Sequence, residues 1–391
     1  MSYEGELMQK IFFIVGMIII LSNICYSQEF PIIGARAMAM GGAYVAFADD
    51  ATSAVWNPAA IPTRRLNDIN IVFDAKCSQT SDLLTRMQEI NDLGLTQNPT
   101  NAAAFGNILT SIQTGNPFLS GGKDYGIFYT NDIFSAGYFE YSMITGNSTI
   151  DLTRLDVNAS GENFVLKNES SLDFQRIQFS EYIFGGGYPL FSEDSFIGAT
   201  IRYVKTSTAI LSRNLISDIE TDYNEIDFAF EDFSDDAYSD SIITFDAGTL
   251  FYLVPKLRIG VIGRNLFSPS FDISKTETLT LKAQWRAGLA IQVANSVMLT
   301  ADMDISKNQY FGEGLNYRQA AVGLEIGLFE NSVFIRGGIN KNTAESGTPL
   351  VFCGGLGIRY DTIVLDTSVQ YAPDRQELIA GAQLHLYYQD M

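Results

Sequence analysis

The residues of this chain that could do chemistry are charges set at alternate positions. Arg202, Arg258, Arg264, Arg286, Arg336 and Arg359 each fall on the parity opposite to apolar neighbours. Asp246, Asp302, Asp304, Glu325 and Asp366 share that parity, and Arg176 is placed with them. Alternate residues of a strand point to opposite faces, so the pattern directs these charges to one shared interior. A charge turned instead to mid-bilayer lipid would cost about 2–4 kcal/mol. Mixed signs on an inner face make either ion pairs that brace a wall or a ladder for a polar solute. Catalysis has little to work with. His385 is the single histidine, and there is no GxSxG elbow, HExxH pair or phosphate loop. Gly354-Gly355-Leu356-Gly357 lies within a strand pattern, where crowding explains glycine better than a phosphate does. No metal, cofactor or enzymatic activity is expected.

Strands must position these charges. From Thr278 to Ile291, residues Leu279, Leu281, Ala283, Trp285, Ala287, Leu289 and Ile291 alternate with Thr280, Lys282, Gln284, Arg286 and Gly288. Fourteen such segments are read, near 67–77, 123–131, 133–145, 174–189, 194–206, 241–253, 256–266, 277–292, 296–305, 316–328, 332–340, 349–360, 362–372 and 376–388. Connections near 131–132, 191–193, 254–255, 293–295, 329–331 and 361 are short, whereas those at 78–122, 146–173, 207–240, 267–276, 306–315 and 341–348 are longer. Only 373–375 breaks the alternation. A soluble sandwich also alternates in polarity, but gives no reason for loop length to alternate too. The predicted fold is all-β: a 14-stranded antiparallel transmembrane β-barrel, short turns inside and long loops outside, with an N-terminal hatch. The last strand ends Leu384-His385-Leu386-Tyr387-Tyr388, similar to the C-terminal signal of barrel assembly.

The domain reading is 1–27 signal peptide, 28–62 hatch or plug inside the barrel, and 63–391 transmembrane barrel. Lys10, the apolar run Ile11–Leu21 and the small residues Cys25 and Ser27 predict export and cleavage before Gln28. The destination expected is the outer membrane of a Gram-negative bacterium, with membrane lipid as a partner. Cys77 and Cys353 lie far apart in the strand pattern and make no disulfide framework. A net charge of −20 argues against nucleic acid, whose phosphates need clustered Lys and Arg.

Two segments of the first long loop, Ser81–Asp92 and Thr100–Ile112, have helical spacing, with Thr100 as N-cap. They are expected over the barrel mouth, either offering an apolar landing site or burying their faces on each other. Asp218–Asp240 holds ten acids and no base, a solvated loop or a divalent-cation site without EF-hand spacing. Gly185, Gly186, Gly187 and Pro189 form a candidate strand kink or a flexible strand end.

Residues 34–60 differ from the rest: rich in Ala and Gly, they lack strand alternation. Met40-Gly41-Gly42-Ala43, Ala48-Asp49-Asp50-Ala51 and Trp56-Asn57-Pro58-Ala59-Ala60 resemble the N-terminal signature of FadL-like outer-membrane barrels, whose relatives include PorV-type secretion barrels and the TraF-like plasmid-transfer group. The resemblance implies a hatch containing Asp49, Asp50, Trp56, Asn57, Pro58 and Ala59 that closes the lumen. It also implies uptake of a hydrophobic small molecule, such as a fatty acid or hydrocarbon, with lateral exit through the wall. The alternative it carries is a non-transporting PorV-like barrel that binds protein partners in a secretion or transfer system.

Overall fold

The computed structural model describes residues 27–28, 30–63, 67–79, 83–95, 101–115, 119–155, 167–190, 194–215, 238–273, 278–309, 316–373 and 377–388. All but Ser27 of the expected signal peptide, Thr100 and most of the acidic stretch lie outside the described residues, as does the side chain of Cys77. Fourteen strands form one closed barrel. They are β1 (Asn67–Gln79), β2 (Leu119–Thr130), β3 (Phe134–Thr149), β4 (Ser171–Pro189), β5 (Ser195–Asn214), β6 (Tyr238–Val254) and β7 (Leu257–Arg264), followed by β8 (Gln284–Ala294), β9 (Val297–Asp304), β10 (Gln319–Leu328), β11 (Val333–Asn342), β12 (Leu350–Tyr360), β13 (Ile363–Ala372) and β14 (Glu377–Tyr388). Every neighbouring pair is antiparallel, and β14 closes on β1 from Leu378↔Cys77 to Tyr388↔Asn67. Closure leaves no open edge, so each strand has a paired neighbour on both sides.

Parity sorts the two faces. Ile71, Phe73, Ile127, Phe184, Ile243, Leu299, Ile335, Leu356, Leu365 and Val369 are exposed around the whole circumference, while Asp68, Asn70, Arg202, Asp246, Arg286 and Asp366 are buried inside. An apolar belt that encircles the molecule far exceeds the few hundred Å² that soluble monomers tolerate.

Several sequence expectations need correction. The segment read as one strand over 277–292 is broken: Thr278–Thr280 pairs with Ser270–Asp272 in a separate hairpin, and the barrel strand starts at Gln284. Leu279 and Leu281 accordingly leave the outer face and pack into the interior with Phe271. Period-2 polarity runs across the break because both the hairpin and the wall have an apolar side. Likewise Asn316–Tyr317 pairs with Asn308–Gln309 above the wall, and β10 begins at Gln319. Arg176 is not a lumen residue: it shares the parity of exposed Tyr182 and Phe184 on β4, whose pairing runs without a register break. Gly185–Gly187 and Pro189 do not interrupt the ladder, since Gly185↔Thr200, Gly186↔Ala199, Gly187↔Gly198 and Pro189↔Phe196 are all paired.

The wall is uneven in height. β4 and β5 have 19 and 20 residues whereas β7 and β9 have 8. Two helices lie in the β1–β2 connection (Leu83–Leu93 and Ala102–Gly115), packed on the outer side of this taller wall rather than over the mouth. Their Met87, Ile90, Phe105, Leu109 and Ile112 cluster with Ile144, Leu172, Phe174 and Ala209, which have the outward parity of β3, β4 and β5. Beyond the apolar belt, these outward apolar residues are covered by the helix pair.

Candidate functional site

The site is the lumen and the chain that fills it. Ser27–Gln28 pairs in parallel with Asn308–Gln309, beyond the long-loop end of β9. From there the segment descends. Phe30 stacks under Arg264 and Arg286 (4.8 and 4.2 Å). Helix α1 (Ala35–Ala39) touches β11 to β14, α2 (Ser53–Trp56) follows, and a 3-10 turn (Pro58–Thr63) packs on β4, β5 and β6 next to the short-turn end. Ala37, Met40, Tyr44, Val45, Ala54, Trp56 and Ala59 are all buried.

Glycines make this fit possible. Gly187↔Gly198 and Gly198↔Gly248 are directly paired across three strands, as are Gly260↔Gly288 and Gly323↔Gly338. A Cβ on Gly187 would stand 2.8 Å from the Pro58 carbonyl, one on Gly323 2.7 Å from the Met40 carbonyl, and one on Gly355 2.5 Å from the Ala39 Cβ. Backbone therefore lies directly on backbone around the inner wall, an approach that only glycine permits. Gly355, read from sequence as relief of crowding, belongs to this belt.

Wall side chains then bond the segment's backbone at each stage. Asp302 accepts from the N–H groups of Tyr44 (2.8 Å) and Val45 (2.9 Å). Gln319 donates to the Gly41 carbonyl, Gln370 to that of Met38, and Thr200 to that of Ala54. Asp68 accepts from the Ala51 N–H. Asn57 donates to both the Val45 and Thr249 carbonyls at 3.1 Å, and Trp56 donates to the Ile33 carbonyl. Irregular chain inside a barrel has no ladder of its own, so its polar groups need such partners.

Arg36 is the electrostatic centre of the segment. Its guanidinium grips Glu325 through two N–H donors (2.8 and 2.9 Å) and reaches Asp49 at 2.5 Å. Glu325 also accepts from Arg336 (2.6 Å), Arg336 donates to Asp366 (2.6 Å), and His385 Nε2 meets Asp366 at 2.9 Å. A chain of polar contacts thus runs from the segment into β10, β11, β13 and β14. Burial alone would depress the Arg36 guanidinium, but Asp49 and Glu325 outweigh it and hold it above its ordinary value. Burial likewise pushes the Tyr44 phenol well up, keeping it a neutral donor to Asp50 at 2.7 Å. Asp50 also accepts from the Thr52 N–H at the start of α2.

Two further networks bind wall to wall. Arg202 joins Asp246 (2.7 Å) and Glu181 (2.8 Å), with Arg264 at 3.7–3.8 Å from the same two acids. Arg286 joins Asp304 (2.6 Å) and Gln319 (2.8 Å). Arg258 and Arg359 stand apart from these: Arg258 lies over Phe47 and Tyr252, and Arg359 over Phe334 and Tyr387. Both line a cavity of about 200 Å³ at the short-turn end, together with Arg36, Asp49 and Glu325. Sequence reasoning missed Arg36, Glu181, Gln319 and the glycine belt. Inward parity was available for the wall residues; for Arg36, the signal was a lone arginine amid Ala and Met.

Above the segment the lumen is aromatic. Phe139, Tyr141 and Phe179 stack in turn (5.4 and 4.7 Å between centroids), and Phe271 of the inturned hairpin meets Phe179 edge-on at 5.8 Å. Phe128, Ile177, Val204 and Leu281 extend the same buried cluster. Among the described residues no group of three or more His, Cys, Asp or Glu is placed to hold a metal ion.

The fold recurs in solved barrels of low sequence identity. The toluene transporter TbuX of Ralstonia pickettii superposes with a TM-score of 0.57 at 13% identity, covering 93% of this chain and all of that one. For the Pseudomonas putida toluene transporter TodX the values are 0.54 and 13%, covering 93% and 98%. A FadL homologue from Pseudomonas aeruginosa gives 0.50 and 10%, covering 93% and 99%. At such identities the likeness is one of fold: a FadL-type barrel. No curated protein matches the chain. The family model of the F plasmid transfer operon TraF protein matches residues 54–304, from α2 to the end of β9. Since that match takes in well over half of the sequence, and with it the segment's end, the Arg202–Glu181–Asp246 network and the aromatic stack, the chain belongs to the TraF plasmid-transfer protein family, built on a FadL-type barrel.

Proposed function

We propose that this protein is an outer-membrane channel for small hydrophobic compounds, exported by a cleaved signal peptide. Residues 28–62 act as its hatch and 63–391 as its transmembrane barrel. The observation that carries the reading is the aromatic stack Phe139–Tyr141–Phe179 capped by Phe271. It offers an apolar solute a face of rings, screened from the long-loop side by one hairpin and floored by Phe30 and Trp56 of the segment. A flat apolar molecule would take the place of Phe271. Onward passage then requires the segment to shift, and its polar contacts with the wall can exchange with water one at a time. The encircling apolar belt supports the membrane setting.

The test is native mass spectrometry with solvent extraction on the protein purified in mild detergent, followed by titration with toluene and dodecanoate. A bound hydrocarbon or fatty acid that is lost in Phe179→Ala supports the channel. An empty barrel that binds neither compound overturns it. The second reading, a barrel anchoring a protein partner of a secretion or transfer system, draws on the family match and on the helix pair carried outside the wall. A stoichiometric co-purifying protein, released by deleting residues 83–115, would favour that reading.

A further inference from the structure

The outer wall changes character abruptly along β2 to β5. Ile127, Tyr138, Tyr182 and Tyr203 are directly paired neighbours on the outward face, with ring centroids 5.2 and 6.1 Å apart between the successive tyrosines. One step toward the long-loop end, the paired outward residues are Tyr125, Glu140, Ser180 and Lys205. A further step reaches Lys123 with Ser142, whose hydroxyl accepts from the Lys123 N–H, then Gln178 and Ser207. Arg176 comes next, paired with Ile144 and Ala209, both under the helix cluster. The outward face thus passes from apolar rings through a basic, hydroxyl-rich strip to the underside of the helix pair.

Glu140 lies within electrostatic reach of Arg176 on this strip. Its carboxylate accepts from the hydroxyls of Tyr125 (2.5 Å), Tyr138 (2.5 Å) and Ser180 (3.0 Å), so it fixes the tyrosines with their hydroxyls toward the strip. Lys123, Arg176 and Lys205 against Glu140 leave the strip positive on a chain whose net charge is −20. A tyrosine row marks the boundary between acyl chains and headgroups in a membrane barrel, and the strip sits directly beyond it. We infer that Lys123, Arg176 and Lys205 form a binding site for the phosphate of an outer-leaflet lipid, its acyl chains lying along Ile127, Tyr182 and Phe184. The helix pair bounds the site from above and restricts it to a headgroup lying at the membrane surface. The inference rests on the outer-membrane placement proposed above, and is separate from what the channel carries.

The experiment uses the full chain in dodecyl maltoside, with lipid retention read by native mass spectrometry after adding diphosphoryl lipid A, its dephosphorylated form, or phosphatidylethanolamine. The wild type is expected to retain diphosphoryl lipid A over the other two. The triple variant Lys123→Gln/Arg176→Gln/Lys205→Gln should lower that retention at least about tenfold, because each basic residue at a membrane surface contributes about fivefold. Lys341→Gln, an exposed outward lysine on β11, should not lower it. Equal retention by wild type and triple variant overturns the site, as does equal loss in Lys341→Gln. Heat-modifiable gel migration reports whether each variant is folded. Flotation of the wild type with phosphatidylethanolamine–phosphatidylglycerol vesicles tests the membrane placement by itself: failure to insert removes that reading, whereas insertion without lipid A preference removes only the phosphate site.

Discussion

Glu325→Ala should undock the N-terminal segment while leaving the barrel closed. Glu325 holds Arg36 through two hydrogen bonds and shares one of its oxygens with Arg336. Removing one partner of a buried ion pair costs about 3–5 kcal/mol, because the remaining charge is left without compensation. Here each arginine keeps a second acid, Asp49 for Arg36 and Asp366 for Arg336. The neighbouring cavity also lets water reach the site. The loss of docking energy should therefore fall to about 2–3 kcal/mol, which multiplies the undocked population by roughly 30- to 150-fold. Hydrogen exchange of peptides covering residues 36–48 reads that population, since the amides of Met38, Gly41 and Ala48 bond within the segment. Faster exchange confined to this region, with heat-modifiable migration intact, is the expected result. Exchange within about threefold of wild type would refute the argument that this carboxylate fastens the segment. A cycle with Arg36→Ala should show strong non-additivity, because the two side chains share their bonds.

The glycine belt makes a prediction within two adjacent residues. Gly187→Ala places a Cβ against Pro58 and Pro62, whereas Gly186→Ala meets nothing nearer than the Ile133 carbonyl at 3.3 Å. The first should lower the yield of folded barrel or expose residues 58–63 to protease, by about 1–3 kcal/mol, and the second should do neither; equal effects would point back to a flexible kink. Arg202→Met should strip Glu181 and Asp246 of their nearest cation, cost about 3–5 kcal/mol less any contribution from Arg264, and so lower the unfolding temperature in detergent; an unchanged midpoint contradicts the bracing role. Leu109→Asp should free the helix pair from Phe174 and Leu172, so that limited proteolysis cuts within 83–115 while the barrel stays heat-modifiable. An uncut helix pair would mean that this cluster does not hold it.

Much of the wall could be read before any coordinates. Ile363, Leu365 and Val369 alternate with Asp366, Ser368 and Gln370 in sequence and face opposite sides in the barrel. Where the reading slipped, a polarity pattern outlasted the geometry that made it meaningful. Leu279 and Leu281 keep period 2 but belong to a hairpin folded inward. Arg176 keeps a strand's alternation but stands on the outward face of a strand that continues past the apolar belt.

The sequence by itself determined strand number, the two faces of most strands and the odd character of residues 34–60, because period 2 and small-residue composition are local properties. Only the tertiary structure decided what meets inside. Arg36 and Glu325 are 289 residues apart, and Gln370 and Met38 are separated by 332. Closing the barrel brings fourteen inward faces to a single axis. The partner of each inward residue is then set by strand order and register, which no local pattern encodes.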